Sequence, residues 1–126
     1  MDRDFKGLSA AEKRAFREKY RSLPREKVNE RGTIVYLLGK NLSEAADWAF
    51  MKRVVSEPPC FSLADCSKKS ADAPSPGDEV TLAYPQLVAL EVAGSSETVR
   101  AAALRSRAPI VARKARKLHS SAIPPP

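Results

Sequence analysis

Cys60, Cys66 and His119 are the side chains best suited to covalent or metal chemistry in this chain, and their spacing limits both. Five residues separate the two cysteines. A disulfide closing that small loop is geometrically open and would matter only in an oxidising compartment. Two reduced, partly buried thiols are the simpler reading. A metal site needs about four ligands, and His119 is the only histidine, distant in sequence. A Cys–His nucleophile would have to recruit it from a basic C-terminal segment, where a solvated side chain is the plainer assignment. Gly39 followed by Lys40 lacks the earlier glycine and the loop length that cradle a phosphate. Carboxylates are frequent, but none stands paired in an apolar setting that would shift its pKa. Asp47, beside Trp48, reads as a first-turn helix charge. The expectation is a protein with no catalytic residues, no metal ligands and no cofactor, hence not an enzyme.

The basic side chains carry more information. The net charge of +7 is unevenly placed: +3 over residues 1–30, +1 over 31–58, −3 over 59–95 and +6 over 96–126. Arg105, Arg107, Arg113, Lys114, Arg116 and Lys117 form the candidate binding set, with Arg113 and Lys117 one helical turn apart. They could neutralise phosphates or meet an acidic partner. A solvated helix face with dipole-complementing charges explains the same residues without a ligand. No aromatic residues interleave with them to stack on bases, and no helix-turn-helix or finger pattern accompanies them.

These side chains need helices to position them. Alternating β-branched runs are nearly absent; Thr33–Tyr36 and Val80–Leu82 are the only strand candidates, and both continue into helical patterns. Ten prolines against five glycines point to short helices with stiff connections. A first helix begins at Ser9, where Glu12 completes a capping box, and ends at Pro24. A second runs from Arg25 or Val28 to Leu38, stopped by Gly39 and weakened internally by Gly32, by about 1 kcal/mol relative to alanine. A third starts at a Ser43 cap and closes at Pro58-Pro59. Its Trp48, Phe50 and Met51, beside Val54 and Val55, read as core rather than as an exposed anchor.

After a short turn at Ser62–Asp65, residues 67–78 are nearly devoid of apolar side chains and are expected to form a mobile surface loop. Order resumes near Glu79, with Pro85 breaking or opening a helix that Gly94 stops. Ser95 or Ser96 caps the next helix, bearing Val99, Ala103 and Leu104, and Pro109 opens a last one bearing Ile110, Val111, Ala115 and Leu118. The domain is expected to span residues 1–118, with 119–126 a frayed, proline-rich tail.

Two stretches share one grammar. Residues 34–55 run from an apolar helix through Gly39 and Ser43 to an alanine-rich helix. Residues 87–104 repeat this through Gly94 and Ser96. Such helix pairs bury both faces only by stacking on one another. Ser96-Glu97-Thr98-Val99-Arg100-Ala101-Ala102-Ala103-Leu104 resembles the second helix of HEAT-like repeats, and Val35-Tyr36-Leu37-Leu38-Gly39 resembles the end of their first helix. The likeness covers about half the chain. The 55-residue glycine spacing is longer than a plain repeat, and Pro109 interrupts where another regular helix would run.

The resemblance implies a curved helical scaffold that binds macromolecules. The expected fold is all-α, short antiparallel helix pairs stacked as a small repeat-like domain or irregular bundle. The expected function is a non-enzymatic protein-interaction or scaffold module with a protein partner. A basic domain binding nucleic acid through its C-terminal helix is the alternative, and a small enzyme or effector using Cys60 or Cys66 a distant third. No stretch reaches the length of a membrane span and Asp2 follows the first residue, so a soluble, cytoplasmic protein without membrane association is expected.

Overall fold

The computed structural model describes residues 7–68 and 76–122, with side chains at 7–68 and 78–118. Among the described residues the chain is all-α: α1 (Ala10–Ser22), α2 (Val28–Gly39), α3 (Ala45–Val55), α4 (Pro76–Leu82), α5 (Tyr84–Ala93), α6 (Glu97–Leu104) and α7 (Pro109–Ala122). Both strand candidates are helical, the first inside α2 and the second ending α4. No described helix is long and apolar enough to cross a membrane.

Local signals set most of these boundaries. The Ser9 hydroxyl accepts from Glu12 N–H at 3.1 Å, and Glu12 answers by accepting from Ser9 N–H at 3.0 Å. Two orphan donors are thereby satisfied at the start of α1. Asn41 Oδ1 accepts from Gly7 and Leu8 N–H at 2.7 and 2.9 Å, tying the approach to α1 to the turn between α2 and α3. Ser96 caps α6 by accepting from Val99 N–H. Pro85 does both things expected of it: α4 stops at Leu82, and α5 starts two residues later, at Tyr84, with the proline in its first turn.

Several boundaries differ from expectation: α2 runs through Gly39 to a Lys40 cap, and α3 ends at Val55, capped by Ser56, ahead of Pro58-Pro59. Glu44, not Ser43, stands at the N-cap of α3. The Asp47 carboxylate draws in both backbone N–H groups, at 2.9 Å from Ser43 and 2.8 Å from Glu44, and so starts the helix one residue later. The polar stretch 67–78 does not stay irregular to its end, because residues 76–78 form the first turn of α4; residues 69–75 lie outside the described residues. Helix α7 continues to Ala122, past the expected onset of the tail at 119, and residues 123–126 lie outside the described residues.

Helix α5 is the centre, with α2, α3, α4, α6 and α7 all packed on it. Its Pro85, Ala89, Leu90 and Ala93 are buried. Around them lie Val35 and Leu38 of α2, Phe50, Met51, Val54 and Val55 of α3, Val99 and Ala103 of α6, and Val111 and Ala115 of α7. The Tyr20 ring of α1 meets Phe50 edge-on at 5.2 Å. Phe50 and Met51 are core as expected, and Trp48 packs partly buried against the same cluster.

The contact of α2 with α5 explains the glycine that local propensity disfavours. A Cβ on Gly32 would lie 2.3 Å from the Tyr84 ring, and one on Gly39 would lie 2.5 Å from Val92 Cβ. Both glycines let the helices approach closely. Because Gly32 and Tyr84 are near the N-terminal ends while Gly39 and Val92 are near the C-terminal ends, α2 and α5 run in the same direction. Elsewhere α1 lies on α2, α3 lies beside α6, and α7 covers α6 and α5.

Candidate functional site

Two carboxylates organise the buried polar groups, and both are saturated with donors. Asp47 Oδ2 accepts from Lys13 Nζ at 2.9 Å as well as from the two backbone N–H groups, and Oδ1 meets Arg17 at 3.4 Å. Lys13 completes its own valence on Asn41 O and Ser43 Oγ. Burial raises the Asp47 pKa, but the Lys13 hydrogen bond and the Glu44 and Ser43 N–H groups outweigh it and hold the carboxyl below its ordinary range. An ionised, fully bonded carboxylate here pins α1 to the start of α3. Asp47 is a first-turn charge of α3, as its position in the sequence suggests, and is in addition the buried partner of Lys13, which the local sequence does not reveal.

Glu57, just past α3, is the second hub. It accepts from Tyr20 Oη at 2.7 Å, from both Arg31 Nη atoms at 3.1 and 3.3 Å, and from Gln86 Nε2 at 3.1 Å. The Arg31 guanidinium also lies 4.1 Å over the Tyr20 ring. Burial, and then the negative Glu57, push the Tyr20 phenol well above its usual pKa. The phenol stays protonated and donates. This cluster joins α1, α2, α5 and the end of α3, and its geometry is that of a clamp rather than an acid–base pair.

Cys60 and Cys66 are joined as a disulfide, correcting the expectation of two reduced thiols. The bridged loop rests on the α1–α2 connection. Glu26 accepts from Cys66 N–H at 2.6 Å, and that bond lowers the Glu26 pKa; Arg25 donates to Pro58 O. Among the described residues no group of three or more His, Cys, Asp or Glu side chains is placed to share a metal ion. The His119 side chain lies outside the described ones.

One surface feature with room for a ligand is a groove of about 500 Å³ between α3 and α6. From α6 and its C-cap it takes Thr98, Ala101, Ala102 and Arg105. This is an i, i+3, i+4, i+7 stripe beside the buried stripe of Val99 and Ala103. From α3 and its C-cap come Lys52 and Ser56, one turn apart, and Glu97, Ser106 and Arg107 complete the rim. Small alanines make the floor; Lys52, Arg105 and Arg107 are exposed cations at its edges.

The six basic residues singled out in sequence therefore separate. Arg105 and Arg107 reach the groove. Arg113 is paired with Glu79 at 3.0 Å and Lys114 with Glu91 at 2.7 Å, bonds to the acidic stretch that precedes them. Arg116 and Lys117 are exposed on α7, away from the groove lining. Lys52 was not among the candidates, since at a helix C-terminus it reads as dipole compensation. Only the approach of α3 to α6 identifies it. No protein-family model, curated protein or solved structure matches this chain.

Proposed function

We propose that this chain is a non-enzymatic protein-interaction module of helical-repeat type, with the α3–α6 groove as its working face. The observation that carries the reading is that like elements lie side by side. Helix α2 runs parallel to α5 through the Gly32–Tyr84 and Gly39–Val92 contacts, while α3 lies beside α6. Those are the two first helices and the two second helices of the repeated sequence grammar. Stacking of that kind buries the facing sides of the helices and leaves one side of each second helix lining an open surface. The HEAT-like resemblance belongs to the same proposal. The buried carboxylates favour it over an enzyme, since each is already saturated by donors within the fold.

Nucleic-acid binding through α7 is the second reading, favoured by exposed Arg116 and Lys117. It is weakened by Arg113 and Lys114, whose charges already meet Glu79 and Glu91. Affinity capture with nuclease-treated lysate separates the two. A defined protein retained by the wild-type chain but lost from a Lys52→Glu/Arg107→Glu chain supports the interaction module. Capture of nucleic acid alone, abolished by Arg113→Glu/Arg116→Glu/Lys117→Glu and by raised salt, would replace it with the second reading.

A further inference from the structure

We propose that the α3–α6 groove takes an extended acidic segment of a partner protein, with Lys52, Arg105 and Arg107 meeting its carboxylates; this rests on the interaction-module reading above. Three observations carry the partner's chemistry. First, Lys52, Arg105 and Arg107 have no carboxylate partner among the described residues, although cations elsewhere do: Lys13 and Arg17 meet Asp47, Arg31 meets Glu57, and Arg113 and Lys114 meet Glu79 and Glu91. Exposed Arg14, Lys19, Arg53, Arg116 and Lys117 also lack one among the described residues. What sets the groove apart is that three cations line one cleft with a single carboxylate, Glu97, leaving an excess of positive charge to draw an anion.

Second, the floor is built of small side chains. Ala101 and Ala102 leave the space open, and a volume of about 500 Å³ falls in the range of about 300–1,000 Å³ typical of ligand clefts. Thr98, Ser56 and Ser106 at the walls bring hydroxyls to the amides of an extended chain: Ser56 Oγ already donates to Lys52 O and keeps lone pairs to accept, and Ser106 Oγ already accepts from Ala108 N–H and keeps a proton to donate. Third, the lining argues against phosphate-rich polymers. It holds no aromatic ring for base stacking, and Glu97 sets a carboxylate on the rim where a continuous phosphate backbone would meet repulsion. A peptide can place a neutral or basic residue at that point.

Fluorescence anisotropy with the full chain tests this directly. The probe is a fluorescein-labelled peptide of alternating Glu and Gly; a Lys–Gly peptide and a single-stranded oligonucleotide of equal length are controls. The expected result is saturable binding of the acidic peptide alone, weakened about tenfold or more in Lys52→Glu/Arg105→Glu. The neutral Lys52→Gln/Arg107→Gln chain should weaken it less, and Arg116→Glu/Lys117→Glu should leave it unchanged. Far-ultraviolet circular dichroism identical to wild type confirms that each variant is folded. No binding of the acidic peptide, or equal loss in the groove and α7 variants, overturns the proposal. Should a captured protein partner still bind the Lys52→Glu/Arg105→Glu chain, the acidic-groove idea fails and the groove is not the working face, while the reading as an interaction module stands. Preference for the oligonucleotide, lost in the α7 variant, would sink both.

Discussion

The two halves of the molecule handle charge in opposite ways. In α1–α3 several charges go inward: Lys13, Arg31 and Asp47 are buried, and Glu57 is largely enclosed between Tyr20, Arg31 and Gln86. In α5–α7 the interior is mostly alanine (Ala89, Ala93, Ala103, Ala108, Ala112 and Ala115), and the charges stand outside. Buried ions must be neutralised where they sit, so the first half uses its charge to fix how helices meet. Alanine helices pack closely without such help, which frees the cations of the second half to face a partner. The groove lies on the seam, with Lys52 from the first half and Arg105 and Arg107 from the second.

The largest expected effect breaks the first half. Asp47→Ala leaves Lys13 charged, buried and without its carboxylate, a situation that costs about 3–5 kcal/mol. Urea unfolding should show that loss as a lower midpoint with an unchanged slope. Lys13→Met/Asp47→Leu removes both charges and should recover most of the stability. The acid limb sharpens the test. Since the folded-state pKa of Asp47 is depressed, its contribution is complete above the unfolded value of about 3.9 and disappears as pH falls through the folded value. The wild type should lose stability over that acidic window, and the double variant should lose less.

That hub also shows why part of the fold was legible in sequence and part was not. The capping box at Ser9 and Glu12 spans three residues, so residue types alone reveal it; Ser96 and Pro109 are similar. Lys13 and Asp47 are 34 residues apart, and nothing local marks either as buried. The shift of the α3 cap from Ser43 to Glu44 has the same origin, because a carboxylate serving a distant lysine also claims the adjacent backbone. Arg105 and Arg107 were named from a basic run, whereas Lys52 belongs to another helix and joins them only through packing. For Cys60 and Cys66 the spacing permitted a bridge without requiring one.

The contact between the halves is next in size. Gly39→Ala would gain helix propensity in isolation, yet its Cβ would collide with Val92 Cβ, one bond from the α5 backbone. A net loss of about 1–3 kcal/mol is expected. Gly32→Ala should lose less, because the half-buried Tyr84 ring can swing aside. A gain in stability for Gly39→Ala would mean that α2 and α5 are not in close parallel contact, and the stacked-pair reading would lose its support.

Opening the Cys60–Cys66 bridge should cost about 2 kcal/mol from the entropy of so short a loop, read as a lower melting temperature for Cys60→Ser/Cys66→Ser. Thiol titration of the native protein should find neither cysteine free. Such a bridge persists in oxidising surroundings and is rare in a reducing cytosol. The bridge and the expectation of a cytoplasmic protein therefore pull in opposite directions. Alkylation of freshly lysed cells, followed by mass mapping of the two cysteines, decides which holds.

The smallest effects should come from the ion pairs of the second half, and their smallness is what the comparison requires. Arg113–Glu79 and Lys114–Glu91 are solvent-exposed to a large degree, with side-chain exposures of 53% and 35% in the first pair and 33% and 69% in the second. Exposed pairs of this kind contribute about 0.2–1 kcal/mol and are screened by salt. Arg113→Ala and Lys114→Ala should each shift the unfolding midpoint only slightly, and less at high salt than at low. A double-mutant cycle between Lys114 and Glu91 should give a coupling energy in the same range. If either substitution instead costs as much as Asp47→Ala, the charges of α7 hold the fold together as those of α1–α3 do. The α5–α7 half would then be no freer to engage a partner than the α1–α3 half.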